Sequence, residues 1–271
     1  MNKTYIVGTG WWCTSDDTRE ARFLNGDDYI RSKQFHDLWA ESIVAFSNPE
    51  EVVVIDSNSP IKANWNGDKL PYNVIALSNN LGHATSLTSG KFCGWTASVL
   101  LSMEYSSFSN CDFYVYIEQD VLIYGKGIIE KCIEGMGDDT DYFFGATDNN
   151  VSPLQQSFFI IRKTAIDRFC SNLRRISYND AQISPEVKFA IASSRYFSIL
   201  PKVLFKQNSS LLGKAWRRFV VPFSKIISSA KYLPIGYGRA RPIDFSDDHF
   251  YFQHGSDEEL KKYLNLIDAS D

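Results

Sequence analysis

Tyr114-Val115-Tyr116-Ile117-Glu118-Gln119-Asp120-Val121-Leu122-Ile123 is a run of strand-forming residues interrupted by two carboxylates. Aromatic and aliphatic side chains crowded over 113–117 and followed by polar ones predict a strand that leaves a hydrophobic core at Glu118. On an extended segment residues i and i+2 share a face, so Glu118 and Asp120 are expected to point the same way. Two unpaired buried carboxylates are costly, whereas a divalent cation held between them turns the same burial into a binding site. The plainer alternative is a strand that has simply ended, leaving its acids in solvent.

Outward from this run, short apolar stretches alternate with longer helical patterns. Strands are expected at 4–7, 52–55, 73–77 and 113–117, with the second continuously apolar, as a buried parallel strand should be. A helix is expected up to Phe46, with Asp27 and Asp28 at its N-terminus where acids suit the helix dipole, and a second at 94–108. This alternation predicts an α/β fold, a mostly parallel sheet flanked by helices. Downstream the pattern predicts a short helix at 127–134, strands at 142–145 and 156–162, and a helix at 164–173. A further helix over 186–197 is opened by Pro185 behind Ser184.

A chain of 271 residues is near the upper limit for one core. The expected organisation is therefore one domain over 1–205, with a C-terminal elaboration over 206–271 closing over the cleft. The net charge of −4 excludes a general nucleic-acid binder, which would cluster Lys and Arg against phosphates. Five cysteines without a C-x-x-C pair fit a reducing compartment. No stretch reaches the roughly 18 apolar residues of a membrane helix. Together these imply a cytoplasmic protein. The stretch 209–231 differs in kind, since Lys214, Arg217, Arg218, Lys225 and Lys231 alternate with Trp216, Phe219, Phe223 and other apolar residues. Such a segment can lie peripherally on the inner face of an anionic membrane, cover the core as a helix, or act as a flap, and Pro222 interrupts its pattern.

Each inner strand is followed by a polar cluster: Asp56-Ser57-Asn58-Ser59-Pro60, Ser78-Asn79-Asn80-Leu81-Gly82-His83, and Glu118-Gln119-Asp120. Ligands of open parallel sheets bind beyond the carboxyl ends of the strands, so the three loops are expected to converge on one cleft. Thr9 and Gly10, read as the loop after the first strand, border the same cleft.

The order of these segments resembles the nucleotide-sugar-dependent glycosyltransferases of the GT-A fold over roughly residues 4–200. Val-Val-Val-Ile-Asp56-Ser-Asn-Ser-Pro is similar to that family's strand, Asp and small-polar loop, which implies a nucleoside contact for Asp56. The Asn79-Asn80-Leu-Gly run is similar to its Asn-x-Gly segment, and Ile-Glu118-Gln-Asp120 stands where the family's D-x-D-like metal motif would be, with Glu in place of the first Asp. The resemblance implies a GT-A-like (Rossmann-like) sheet, Mn2+ or Mg2+ as cofactor, a nucleotide-sugar donor, and a glycan or lipid-linked glycan acceptor. Surface-polysaccharide synthesis is the setting it suggests. It also implies a C-terminal histidine on the metal, for which His254 is the candidate and His249 the second.

Arg239 and Arg241, beside Gly236 and Gly238, carry guanidinium forks suited to diphosphate oxygens. If the reaction inverts the anomeric centre, a carboxylate must act as general base. Glu186 is the first candidate by order of elements, with Asp148 and Asp180 as competitors; an acid in the first turn of a helix equally serves the dipole. Gln155, Gln156 and Ser157 are candidates to line a sugar or acceptor pocket. Trp11, Trp12 and Trp95 are candidates for stacking or core. Two alternatives stay open. One is a nucleotidyltransferase acting on sugar phosphates, for which Gly8-Thr9-Gly10-Trp11-Trp12 is a poor phosphate loop. The other is a non-catalytic carbohydrate-binding protein of the same fold.

Overall fold

The computed structural model describes residues 3–14, 28–87, 90–147, 152–207 and 211–268. In chain order the strands are β1 (Tyr5–Trp11), β2 (Glu51–Asp56), β3 (Tyr72–Ala76), β4 (Phe113–Ile117), β5 (Val121–Tyr124), β6 (Tyr142–Gly145), β7 (Gln155–Arg162), β8 (Lys231–Tyr232) and β9 (Phe250–Gln253). The helices are α1 (Lys33–Phe46), α2 (Gly94–Ser107), α3 (Ile128–Glu134), α4 (Lys163–Arg175), α5 (Pro185–Ala192), α6 (Leu211–Ile227) and α7 (Asp257–Asp268). Seven strands form one sheet in the order β3-β2-β1-β4-β7-β6-β8, while β5 and β9 form a separate antiparallel ribbon.

The first four sheet strands are mutually parallel, so β2, β3 and β4 release their carboxyl-end loops along one edge. β7 runs antiparallel to both β4 and β6, and β8 is parallel to β6. The sheet is thus mixed, with a parallel block as its N-terminal half. The 206–271 segment supplies β8 to this sheet and β9 to the ribbon.

Strand alternation divides the core in two. Tyr5, Val7, Phe113, Val115 and Ile117 join Phe35, Leu38, Trp39 and Ile43 of α1 on one face. Tyr114 and Tyr116 turn to the other face, among Val99 and Met103 of α2 and Phe169 of α4. Gly8 and Gly10 let α2 come close to β1. A Cβ on Gly8 would stand 2.5 Å from the Tyr114 hydroxyl, and one on Gly10 would stand 2.9 Å from Ser98 Oγ. Ser98 and Ser102 facilitate this contact by folding their hydroxyls back onto the carbonyls of Gly94 and Ser98, each at 2.7 Å.

Several boundaries differ from expectation. α1 starts behind Ser32, whose Oγ accepts from Phe35 N at 3.1 Å. Asp28 lies in a preceding 3-10 turn and Asp27 outside the described residues, so a hydroxyl cap rather than acids opens the helix. α5 ends at Ala192, not 197. α6 is one helix running through Pro222. α7 opens with a capping box: Ser256 N donates to Glu259 Oε2 at 2.9 Å and Glu259 N donates to Ser256 Oγ at 3.3 Å. No described helix is long and apolar enough to cross a membrane.

Candidate active site

Glu118 and Asp120 stand at the carboxyl end of β4 but not on an extended segment. Val121 N donates to Glu118 O at 3.0 Å, closing a tight turn that leads directly into β5. The turn nonetheless brings both carboxylates together. The side-chain nitrogen of Gln253 donates to Glu118 Oε2 at 2.9 Å and to Asp120 Oδ1 at 2.9 Å. The oxygen of the same amide accepts from Gln155 Nε2 at 2.9 Å and from Arg239 Nε at 2.7 Å. Gln155 is steadied by Ser157 Oγ at 2.8 Å. All four hydrogen-bonding positions of the buried Gln253 amide are therefore filled.

β9 delivers Gln253 and, one residue on, His254. Pairing of β9 with β5 sets Gln253 opposite Val121, directly after the acidic turn. His254 has φ +60, in the left-handed region, where His is tolerated better than most residues. Its Nε2 lies 3.3 Å from Asp120 Oδ2. Gly238 lets the 237–239 backbone cross the Tyr251 ring, where a Cβ would meet ring carbons at 2.2 Å. Gln253 N donates to Gly238 O at 2.9 Å, and this places Arg239 beside the cluster.

The electrostatics follow from two acids sharing a partly enclosed site. Burial, reinforced by the Asp120 charge and opposed by Arg239, pushes the Glu118 carboxyl up from 4.5 to about 8. Glu186, half-buried in the first turn of α5, is near enough for its charge to push the same way. Burial also pulls His254 down from 6.5 to about 4, against the attraction of Asp120 and with the help of Arg239, Arg31 and Arg241. At neutral pH the imidazole is neutral and has a lone pair to offer.

Among the described residues, no three His, Cys, Asp or Glu side chains converge as a finished metal cage. What sits between the two acids is an amide NH2 group, whose two hydrogens do for them what a cation would do. Two carboxylates and a neutral imidazole form a donor set suited to Mg2+ or Mn2+, which retain room for substrate oxygens and waters.

Other candidates fall elsewhere. Thr9 and Gly10 lie inside β1, which runs on to Trp11, and both pack inward. The strand is longer than its apolar run, and its glycines serve helix packing. Asp56 ends β2 but is buried; its Oδ1 accepts from Ser59 N at 2.6 Å, and Lys62 Nζ lies 3.4 Å from Oδ2, so it braces its own loop. Asn79 and Asn80 are exposed on the β3 loop at the same sheet edge, where Asn80 Oδ1 accepts from Gly82 N at 2.8 Å. Leu81 N donates to Ser57 Oγ at 3.3 Å and Gly94 N to Gly82 O at 2.9 Å, joining two of the loops to the start of α2.

Arg241 is not a free clamp. Its Nε pairs with Glu259 at 2.6 Å and its Nη2 donates to the carbonyls of Gln253 and His254 at 2.8 and 3.3 Å. His249 faces Lys126 O and Lys131 Nζ, away from the acids. Asp180 is spent on Lys188 Nζ at 2.6 Å and Cys93 N at 2.7 Å. Asp148 lies outside the described residues. Trp11 donates its indole N–H to Ile61 O and packs at a tilt on His36, and Trp95 packs on Tyr116 and Phe189, so both serve the core. Gln119, flanked by the acids, turns away to bond Trp12 N at 2.9 Å, which ties the end of β1 to the acidic turn.

No protein-family model matches the sequence, and no curated protein matches it. Among solved structures the fold is similar to a mannosyltransferase, PcManGT from Pyrobaculum calidifontis, in complex with GDP-Man and Mn2+. That likeness has 10% identity, covers 72% of this chain and 53% of the other, and has a TM-score of 0.43. It is also similar to S. aureus TarS, with 14% identity, 75% and 56% coverage and a TM-score of 0.41. A cytidylyltransferase from Leptospira borgpetersenii follows, with 12% identity, 63% and 64% coverage and a TM-score of 0.36. The chain spans little more than half the length of the first two. The functional reading accordingly rests on the residues gathered at the acidic turn.

Proposed function

We propose that the chain is a metal-dependent glycosyltransferase of GT-A type, moving a sugar from a nucleoside diphosphate to a hydroxyl of a glycan or lipid-linked glycan. The observation that supports it is the pair of carboxylates at the carboxyl end of a parallel strand, gathered around one amide nitrogen. An open parallel sheet binds ligands at that edge. Glu118 and Asp120 would hold Mn2+ or Mg2+, with His254 as the third donor. The bound ion supplies charge neutralisation for the departing diphosphate.

The chain's own residues do the rest. Arg239, oriented by Gln253, offers a guanidinium to the diphosphate oxygens. Gln155 and Ser157 hold Gln253 in register. Glu186 is the proposed base for the acceptor hydroxyl, close enough to the site for its charge to act on Glu118. Asn79 and Asn80 are proposed to border the nucleoside from the β3 loop, with the neighbouring loop braced by the buried Asp56. A nucleotidyltransferase is disfavoured because Gly8 and Gly10 are packed inside β1 and form no phosphate loop.

Calorimetric titration of UDP and GDP with and without Mn2+, on the wild-type chain and on Asp120→Ala, tests the reading. Mn2+-dependent binding of one nucleotide that is lost in the variant is expected. Unchanged binding in Asp120→Ala would falsify it. Incubation with a panel of sugar nucleotides, scored for slow metal-dependent sugar release, separates a transferase from a non-catalytic binder.

A further inference from the structure

Residues 187–243 contain eleven Lys and Arg and not one Asp or Glu. The remainder of the chain carries 17 basic and 32 acidic residues, so an acidic protein bears one strongly cationic stretch. Among the described residues, that stretch also contains most of the exposed large apolar side chains. Ile199 and Ile226 are 79% exposed, Val203 58% and Phe219 56%, with Trp216 also exposed. The two segments that carry them pack together, Phe197 and Phe205 lying in one buried cluster with Val220 and Ile227. Trp216 Nε1 donates to Leu204 O at 2.7 Å, joining α6 to the 202–205 turn, and the Trp216 and Phe219 rings are 5.2 Å apart. Val220 and Ile227 form an inner stripe of α6 in a buried cluster with Ile191 and Phe205, while Phe219 and Ile226, seven residues apart, form an outer stripe left uncovered.

We infer that this face, α6 together with the 196–204 segment, docks on an anionic lipid bilayer. A bilayer interface accepts aromatic and aliphatic side chains below its headgroups while its phosphates meet Lys and Arg, and both chemistries are interleaved here. Lys202, Lys206, Arg218 and Lys225 flank the apolar side chains. The acidic remainder of the chain is repelled by the same surface, so the charge asymmetry orients the protein with this face down. A second copy of the chain is a poor occupant, because a two-fold contact sets this acid-free face against itself. A nucleic acid would satisfy the cations and leave the aliphatic side chains wet. The inference stands apart from the catalytic reading, since neither Glu118 nor Asp120 contributes to it.

Cosedimentation of the full chain with phosphatidylcholine vesicles, and with vesicles in which about a third of the lipid is phosphatidylglycerol, tests it. Binding to the anionic vesicles alone is expected. Phe219→Ser combined with Ile226→Ser should weaken it at least tenfold, and Ile199→Ser should weaken it severalfold from a different element. Lys225→Glu should weaken it by more than the roughly fivefold that loss of one surface cation brings. All four side chains are exposed, so the fold tolerates the changes, which far-UV circular dichroism checks. No binding, or equal binding to both vesicles, overturns the inference. So does binding that salt abolishes but the serine variants leave unchanged, which marks a site for polyanions. A dimer in sedimentation equilibrium that is lost in the Phe219→Ser and Ile226→Ser chain also overturns it, in favour of self-association.

Discussion

Asp180 and the Glu118–Asp120 pair are both withdrawn from water and are compensated in opposite ways. Asp180 has an ammonium partner, Lys188 at 2.6 Å, with both side chains at 0% exposure, and a backbone N–H from Cys93 at 2.7 Å. Its charge is matched within the fold, and the pair ties the 91–93 loop at the head of α2 to α5. Glu118 and Asp120 share a neutral amide, and Asp120 also faces a neutral imidazole, with Arg239 acting on them only through that amide and at a distance. The first arrangement is complete without any ligand. The second leaves negative charge uncompensated, which is the condition under which a cation binds.

The contrast predicts its largest effect at the closed pair. Lys188→Met preserves bulk but strands Asp180 as a buried unpaired charge, which should cost about 3–5 kcal/mol of stability in urea denaturation. Lys188→Met with Asp180→Asn should recover much of that loss. If Lys188→Met is nearly neutral, the pair is not the structural half of the comparison.

The open pair should show itself in pH dependence, about 2 kcal/mol in all. Glu118 is raised from 4.5 to about 8 in the folded chain, so its contribution to stability is full below pH 4.5 and is lost as pH rises toward 8. His254 is lowered from 6.5 to about 4, so its contribution is full above pH 6.5 and is lost as pH falls toward 4. Each slope is up to about 1.4 kcal/mol per pH unit, and the two oppose between pH 4.5 and 6.5. Stability should therefore be flat over that window and decline from pH 6.5 to 8. Glu118→Gln should remove the decline. So should saturating Mn2+, by taking the place of the proton.

A smaller effect is expected from Asp120→Asn, which keeps an acceptor for Gln253 and removes one of two repelling charges. Stability at pH 8 should rise by about 1 kcal/mol, since relieving an uncompensated charge stabilises a site built for a ligand. A loss of stability in this variant would mean that Asp120, like Asp180, is already matched within the fold.

The legibility of these regions in sequence differs for physical reasons. β4 runs over 113–117 and α2 over 94–107, almost as the sequence pattern predicts, because β4 is buried at every position and α2 buries more than half of its residues against the sheet and α4. The parallel block and its polar edge follow from the same patterning. β1 is longer than its apolar run because Gly8 and Gly10 look like a turn and are in fact space made for α2, and so Thr9 and Gly10 move from loop to core. The strand Val121–Tyr124 is not among those expected from the sequence, since nothing local marks the turn over Glu118–Val121 that separates it from β4. α7 carries a readable signal in the Ser256–Glu259 capping box, and its docking is confirmed by Tyr263, whose hydroxyl donates to Ile123 O at 2.7 Å. Gln253 has no such signal. Its partners Gln155 and Asp120 are 98 and 133 residues away, and a lone glutamine after an apolar triplet is indistinguishable from any strand end.

Gln253 is also where the comparison can be sharpened most finely. Its NH2 group occupies the space between the acids, so it competes with a cation even as it steadies them. Gln253→Ala removes the competitor and leaves two carboxylate oxygens without their donor, so the folded chain should be destabilised by about 1–3 kcal/mol, the cost of stranding buried polar atoms. Mn2+ affinity, read by the loss of the free-ion electron paramagnetic resonance signal, should rise by a few fold despite that loss. The two changes should have opposite signs, because the ion restores to the acids what the amide supplied. Nucleotide affinity in the presence of Mn2+ should fall, since Arg239 loses the acceptor that orients it at 2.7 Å. Weaker Mn2+ binding in Gln253→Ala would show instead that the amide belongs to the cation site, making the acidic turn as complete within the fold as the Asp180–Lys188 pair.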